Sequence, residues 1–198
     1  MHIAITGNIG SGKSSVSRIL QSLGYPVFDA DRIAKAQYEK AEVKVAINAY
    51  FHEDLYPNGT FNSARCAELI FQSDRSEARQ FVEALIHPLV LAELNQLAKE
   101  SREPIVFSEV PLLYEAHGER NFDQVLLVIS DDHLADQRLA TQRGLDLPEI
   151  GRRRLLQINP KVKAALADDV IENNGDEASL LRQVMNYSAK IRSKYGKK

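Results

Sequence analysis

The sequence predicts an α/β fold, a parallel sheet flanked by helices, and three observations lead to this prediction. Short β-branched segments alternate with helical segments along the chain. A glycine-rich loop over residues 7–14 joins the first predicted strand to the first predicted helix. About seventy residues lie between the second and third predicted strands, several times the ~10–15 of an ordinary crossover. This spacing indicates a large insertion within the sheet domain.

The elements follow in order from the apolar pattern. The first strand, His2–Thr6, is short and largely apolar, as a buried strand requires. After the loop, Val16, Ile19 and Leu20 continue into an i, i+3, i+4, i+7 helical face, which Gly24 is expected to end. Four further strands are predicted at residues 26–28, 105–110, 124–129 and 170–171.

The insertion itself reads as mostly helical. Its clearest helical stretches are CAELIF and FVEALIHPLVLAELNQLAK, and YPNGTF reads as a turn between helices. The single cysteine, Cys66, excludes an intramolecular disulfide and any site built from several cysteines, and we expect it to be a small buried residue.

The loop reads GNIGSGKS and matches G-x-x-x-x-G-K-[ST], the pattern of a phosphate-binding loop (P-loop). Glycines permit positive φ angles and a close approach of backbone N–H groups to phosphate, and the following helix adds its positive N-terminal end. In this pattern the lysine, Lys13, reaches the β- and γ-phosphates, and the Ser14 hydroxyl ligates Mg²⁺. A glycine-rich turn without a ligand is the alternative. The predicted nucleotide contacts are Asn8, Ile9, Gly10, Ser11, Gly12, Lys13, Ser14 and Ser15.

Three carboxylates are expected at the edge of the sheet where ligands bind, the carboxyl ends of its parallel strands. Asp29 and Asp31 follow the second strand and, by the two-residue period of a strand, are expected on the same side. Glu109 ends the third strand, a position at which a carboxylate can bind Mg²⁺ through a water molecule. The alternative for the two aspartates is that one caps a helix N-terminus and the other is an ordinary surface residue. The alternative for Glu109 is a purely structural role.

A basic segment lies between residues 138 and 163. It contains seven basic and two acidic residues, although the whole chain has a net charge of −2. Guanidinium groups match the charge that spreads over a phosphoryl group during its transfer. Arg138, Arg143 and Arg153 are therefore predicted to close over the phosphates, and a solvated helix is the alternative.

The ordered motifs of the chain resemble those of the dephospho-coenzyme A kinase family. These motifs are ITGNIGSGKSSV, FDADRIA, LIHPLV, EVPLLYE and ADDVIENNG, and the resemblance runs nearly from end to end. It implies a P-loop NTPase-type core at residues 1–31, 100–137 and 164–198, with a helical acceptor-binding insertion at 32–99 and a lid at 138–163.

The resemblance also implies an activity and residue roles. The activity is ATP- and Mg²⁺-dependent phosphorylation of the ribose 3′-hydroxyl of dephospho-CoA, giving coenzyme A and ADP. Asp31 corresponds to the catalytic base, with Lys13 and Arg143 also catalytic, and Asn173 and Gly175 lie near the adenine of ATP. Asp29, Asp31, His87 and Pro88 belong to the acceptor side.

Other functions fit the sequence less well. A P-loop kinase of another small acceptor, a nucleoside or nucleotide, is the main alternative. A GTPase-like switch would be expected to carry an N-K-x-D motif, which does not occur. A nucleic-acid role is disfavoured because the chain is net acidic, has no tryptophan and has no aromatic residues within its basic segment. A first strand at residue 2, with no long apolar run, predicts a cytoplasmic protein without signal peptide or membrane segment.

Overall fold

A five-stranded parallel sheet forms the centre of the protein. The computed structural model describes residues 1–72 and 75–196, without the side chains of residues 71–76, 142 and 143. The strands occur in the order β2-β3-β1-β4-β5, and every neighbouring pair is parallel. Their bounds are β1 His2–Thr6, β2 Val27–Asp29, β3 Val106–Glu109, β4 Gln124–Ile129 and β5 Asp169–Glu172. The predicted parallel sheet is confirmed, with β1 at its centre.

The predicted strand bounds differ from the observed ones by one residue at each end, except for β1 and β4, which match. The second strand begins after Pro26, because proline has no N–H to donate to a ladder. The third strand ends at Glu109 and does not continue to Val110. These shifts leave Asp29 and Glu109 as the last residues of neighbouring strands.

Nine helices occur in the described part of the chain. The first, α1, begins at Lys13, directly after the last glycine of the loop, and ends before Gly24, as predicted. Their bounds are α1 Lys13–Ser22, α2 Ala30–Gln37, α3 Ala41–Phe51, α4 Ser63–Gln72, α5 Arg75–Glu100, α6 Asp132–Arg143, α7 Leu147–Leu155, α8 Pro160–Leu166 and α9 Glu177–Tyr195. Short 3-10 turns occur at Pro57–Gly59 and Glu119–Asn121.

The two faces of the sheet are covered by different segments, because side chains alternate along each strand. Ile3 and Ile5 of β1 pack in a cluster that contains Val16 of α1 and Val184 of α9. Ala4, between them, packs in a second cluster that contains Leu113, with Ile158 and Ala167 against it. All five residues of β1 are buried, as expected for the central strand of a sheet covered on both faces.

The chain forms two compact units. The first contains Met1–Asp29 and the chain from Gln96 onward, and therefore holds the whole sheet, while the second is Ala30–Asn95. Within the second unit, Val43 and Ile47 of α3 are fully buried, and Tyr50 stacks on Phe81 with ring centroids 3.9 Å apart. The predicted helical character of the insertion is confirmed, while the proposed division into core, acceptor region and lid stays a prediction.

Two smaller sequence predictions are also confirmed in the second unit. The predicted turn contains Pro57–Gly59, where Asn58 and Gly59 have φ angles of 61° and 81°. Cys66 is a free, buried thiol whose pKa is raised by desolvation. Among the described residues, no helix combines the length and apolar character needed to cross a bilayer.

Candidate phosphate-binding site

The glycine loop has a backbone that other residues could not adopt without strain. Gly10 and Gly12 have φ angles of 78° and 94°, in the region that favours glycine. A Cβ atom on Gly10 would lie 2.8 Å from the carbonyl oxygen of Ala135, and one on Gly12 would lie 2.1 Å from Nδ2 of Asn173. The loop therefore needs glycine at these positions both for its dihedral angles and for the closeness of its neighbours.

The loop leads into a helix N-terminus suited to an anion. Within α1, all of which the structure describes, the first turn has no acidic residue and no side chain caps the helix. The amides of Ser15 and Val16 donate to the carbonyl of Gly12, so the helical bonding begins there. Because the first amides of a helix point along its axis with a partial positive charge, this end favours a phosphate group.

The side chains at the start of α1 are the predicted nucleotide contacts. The ammonium group of Lys13 donates to the carbonyl oxygens of Gly7 at 2.8 Å and Asn8 at 3.1 Å, so it lies over the loop. Ser14 is exposed, and the hydroxyl of Ser15 accepts a hydrogen bond from Arg18. The structure therefore brings a cation and an exposed hydroxyl to the mouth of the glycine loop.

Two contacts fix the beginning of the loop, and sequence reasoning missed both. The amide of Ile9 donates to Oε1 of Gln157 at 2.9 Å, and Nδ2 of Asn8 donates to the carbonyl of Ile158 at 3.2 Å. Gln157 and Ile158 lie between α7 and α8, almost 150 positions away along the chain. No local pattern signals such a contact. The Ile9 amide, one of the predicted ATP contacts, is therefore hydrogen-bonded to a side chain.

Asn173 holds the loop from the other side. It is buried directly after β5, and its Nδ2 donates to the carbonyl of Ser11 at 2.9 Å. Its own carbonyl accepts from Nη2 of Arg138 at 2.9 Å. The family resemblance implies that Asn173 and Gly175 lie near the adenine of ATP. The Asn173 side chain is used to anchor the loop, whereas Gly175 is exposed.

Two of the three predicted carboxylates meet at the edge of the sheet. Asp29 and Glu109 are partners in the parallel register of β2 and β3. Oε2 of Glu109 accepts a hydrogen bond of 2.7 Å from the hydroxyl of Ser17 in α1, which orients this carboxylate. Among the described residues, no three or more His, Cys, Asp or Glu side chains cluster as they would around a metal ion held by protein alone.

The reason for expecting Asp29 and Asp31 on the same side, the two-residue period of a strand, does not hold in the structure. The strand ends at Asp29, and α2 begins at Ala30, which places Asp31 in the first turn of a helix. The two-residue period therefore does not apply across this junction. An acidic residue in a first turn is favoured by the partial positive charge of the helix end. An acidic residue at position 31 therefore stabilises the start of α2, in addition to its predicted role at the acceptor.

The predicted lid arginines differ in their surroundings. Arg138 of α6 is partly buried, and its Nη1 is buried without a hydrogen-bond partner among the described residues. Arg153 of α7 is exposed and donates to Glu149 at 2.7 Å, and together with Arg152 it lowers the pKa of that carboxyl. Arg143 ends α6, and its side chain lies outside the described residues.

His87 and Pro88 lie within α5, in the second unit. Pro88 is exposed inside the helix, and His87 is partly buried. Because proline has no N–H, one i→i−4 hydrogen bond is missing at this position. Pro88 therefore introduces a local irregularity into the long helix α5, and within the described part of the chain neither residue makes a contact that identifies the phosphate acceptor.

A parallel sheet whose central strand runs through a glycine loop into an uncapped helix defines a P-loop nucleotide-binding protein. Its fold resembles that of a shikimate kinase from Acinetobacter baumannii, with a TM-score of 0.55 at 17% identity over 98% of this chain and 93% of that one. At that identity the likeness shows the fold alone.

Comparison with other proteins narrows this class. The family model for dephospho-CoA kinase matches residues 1–179. Over 190 residues the chain is 36% identical to the dephospho-CoA kinase of Listeria innocua, covering 93% of this chain and 94% of that protein. It is 37% identical over 186 residues to the enzyme of Corynebacterium jeikeium, covering 92% and 95%. The chain belongs to the dephospho-CoA kinase family.

Solved structures agree with this membership. A crystal structure of a Thermus thermophilus protein superposes with a TM-score of 0.84 and 34% identity, covering 96% of this chain and 97% of the other. A dephospho-CoA kinase from Campylobacter jejuni superposes with a TM-score of 0.71 and 25% identity, with 96% of each chain covered. The likeness therefore extends over the inserted helices as well as the sheet.

Proposed function

We propose that this protein transfers the γ-phosphoryl group of ATP to the ribose 3′-hydroxyl of dephospho-CoA, giving coenzyme A and ADP, in the cytoplasm. Its family consists of ATP-dependent kinases of dephospho-CoA. The observation that carries the proposal is the glycine loop, strained and tethered in front of an uncapped helix, in a chain that matches this family over most of its length. Such a loop is suited to hold the phosphates of the donor.

On the donor side, the segment from Asn8 to Ser15 surrounds the phosphates. Backbone amides near the helix N-terminus supply most of the hydrogen bonds, because they are fixed before ATP binds. Lys13 supplies a positive charge beside the β- and γ-phosphates, where negative charge moves from the transferred group to the leaving oxygen. Asn173 and Gly175, at the end of β5, lie on the adenine side.

The residues at the end of the sheet fit Mg²⁺. Their donors are oxygens, a hydroxyl and carboxylates, which this hard cation prefers, and Mg²⁺ keeps several waters in addition to few protein ligands. Ser14 would hold the ion directly, and Glu109 would do so through water, with its carboxylate oriented by Ser17. When bound, Mg²⁺ supplies charge neutralisation at the phosphates.

On the acceptor side, Asp31 orients the 3′-hydroxyl and accepts its proton. An ordinary aspartate, with a pKa near ~3.9, is a weak base for a ribose hydroxyl. In a loose phosphoryl-transfer transition state the proton leaves late, when the oxygen is already acidified by bond formation, so a weak base suffices. Asp29, His87 and Pro88 complete the acceptor side.

The arginines of the lid stabilise the phosphoryl group during transfer. Arg138 has the strongest support, because it is partly buried beside Asn173, which itself contacts the loop. Arg143 follows on the same helix, and Arg153 has to exchange its Glu149 partner for phosphate. The three therefore contribute in different degrees.

An acceptor screen tests the proposal. The protein is assayed with ATP and Mg²⁺ against dephospho-CoA, AMP, adenosine and shikimate, and ADP release is followed by a coupled assay. We expect dephospho-CoA to be preferred. Equal or faster turnover with AMP or adenosine would instead support a P-loop kinase of another small acceptor.

Substitution of Asp31 tests the acceptor-side chemistry. Asp31→Asn keeps the side-chain size but removes the charge, so turnover should fall by roughly 10²–10⁴-fold, the range typical of general acid–base catalysis. ATP affinity, measured by titration, should change by no more than a few-fold. Asp29→Asn is the matched control. Normal turnover for Asp31→Asn with inactivation of Asp29→Asn would exchange the two roles, and a collapse of ATP affinity would make Asp31 a metal or structural residue.

A further inference from the structure

We propose that the buried ion pair of Glu115 and Lys163 positions the beginning of the phosphate loop, and that Gln157 and Ile158 transmit this constraint. The inference assigns Lys163, Glu115 and Gln157 as positioning residues for ATP binding, and it rests on the proposed function. None of the three side chains touches a reacting atom in this proposal; they act through the backbone of Asn8 and Ile9.

Glu115 and Lys163 form an ion pair within the protein interior. Lys163 lies on α8 and is fully buried, although it belongs to the basic segment that the sequence indicated as solvated or phosphate-binding. Its Nζ lies 2.8 Å from Oε1 of Glu115, whose side chain is 12% exposed. Glu115 follows Tyr114 in the connection between β3 and β4. The pair therefore joins α8 to the connection that follows β3.

Hydrogen bonds connect the ion pair to the phosphate loop. The same Oε1 of Glu115 accepts a hydrogen bond of 2.9 Å from the amide of Ile158. The carbonyl of Ile158 accepts from Nδ2 of Asn8, and the preceding side chain, Gln157, accepts from the amide of Ile9. The short connection between α7 and α8 is therefore hydrogen-bonded to Glu115 and also to two consecutive residues of the phosphate loop, Asn8 and Ile9.

The buried ion pair leaves part of its hydrogen-bonding capacity unused. Nζ of Lys163 and Oε2 of Glu115 have no hydrogen-bond partner of regular geometry within the described part of the chain. Burying two charges whose remaining hydrogen-bonding capacity is unused costs desolvation energy, and such pairs are poor contributors to stability. A role in fixing one arrangement of neighbouring groups accounts better for this pair than a gain in stability does.

A second lysine provides a matched control. Lys190 on α9 also pairs with a carboxylate, that of Asp169, but its side chain is 60% exposed. It belongs to the same compact unit, and its ion pair joins α9 to β5 rather than to the connection between α7 and α8. Lys190→Met removes a charge and an ion pair of the same type without disturbing the connection between α7 and α8.

The experiment measures ATP affinity by calorimetric titration in the presence of Mg²⁺, and KM for both substrates, in Lys163→Met, Gln157→Ala and Lys190→Met. We expect Lys163→Met to weaken ATP binding about tenfold and Gln157→Ala several-fold, because misplacement of a preorganised loop is costly even when its own residues are intact. The KM for dephospho-CoA should change less than about twofold in both, and Lys190→Met should match the wild type.

The outcomes separate the two proposals. Wild-type ATP affinity in Lys163→Met and Gln157→Ala would overturn the positioning role, as would an equal rise of both KM values. If Lys163→Met does not fold, Gln157→Ala decides alone, because this partly exposed side chain is outside the buried pair. Failure of the wild type to phosphorylate dephospho-CoA would refute the proposed function, while the ATP titrations would still decide the role of the pair.

Discussion

The phosphate loop, residues 7–14, and the basic segment, residues 138–163, are both proposed to contact phosphate, but they are built in opposite ways. The loop presents backbone whose position is fixed by glycine dihedral angles and by Asn173 and Gln157. The basic segment presents side chains, and exposed Arg153 is already paired with Glu149. A site made of fixed amides needs no rearrangement to receive charge, whereas a paired guanidinium must first leave its partner. Substitutions should therefore be more severe in the loop.

The largest effect is expected from Lys13→Ala. Removal of the charge beside the β- and γ-phosphates should lower turnover by roughly 10²–10³-fold, as for the loss of one preorganised transition-state donor. The fold should persist, since Lys13 is partly exposed and its ammonium group donates to the loop carbonyls of Gly7 and Asn8. Steady-state kinetics and thermal melting test this. More than about a tenth of wild-type turnover would contradict the loop assignment.

Substitution of two glycines with positive φ, one in the phosphate loop and one in the basic segment, tests the difference between these two regions directly. Gly12→Ala should weaken ATP binding by about tenfold or more, because its Cβ would meet Asn173 and misplace the loop. Gly144, in the basic segment at the end of α6, also has a positive φ of 62°, but a Cβ there would meet nothing within 4 Å. Gly144→Ala should cost only the ~1–2 kcal/mol of left-handed backbone, with near-normal ATP affinity. Equal ATP affinities in the two variants would break the comparison.

The arginines of the basic segment provide a finer test. Arg138→Ala should lower kcat/KM for ATP by roughly ten- to a hundredfold, the worth of one hydrogen bond from a charged group. Arg153→Ala should have a smaller effect, since its exposed guanidinium is shared with Glu149. Steady-state kinetics at two salt concentrations measure both. A larger loss for Arg153→Ala would show that the Glu149 pair is exchanged for phosphate at little cost.

The smallest effect concerns the carboxyl of Glu149. Hydrogen bonds from Arg153 and Arg152 lower its pKa, so its folded-state value lies below its unfolded one. Any stabilisation is therefore present at neutral pH and is lost as the pH falls through the lowered pKa. Arg153→Ala should raise the Glu149 pKa toward its ordinary value, as measured by NMR titration of the side-chain carboxyl. An unchanged pKa would mean that the pair does not form in solution.

Much of the fold and part of the site could be predicted from the sequence. The strand, loop and first helix at residues 2–22 carry local signals, namely a β-branched run, a glycine pattern and a helical apolar face. Asp31 follows the carboxyl end of β2, as predicted, but the two-residue period used to relate it to Asp29 does not apply, because the chain enters a helix at Ala30. The roles of the individual site residues stay predictions.

The sequence by itself determined the class of fold, the family and the position of the phosphate loop, because these depend on residues that lie close together or recur in a fixed order. Only the tertiary structure decided what holds the loop. The Ile9 amide meets Gln157 across 148 positions, and Asn173 meets Ser11 across 162. It also decided that Lys163 is buried against Glu115 while Arg153 stays exposed. Local patterns carry no signal for such contacts, since burial and pairing depend on which distant strands and helices pack together.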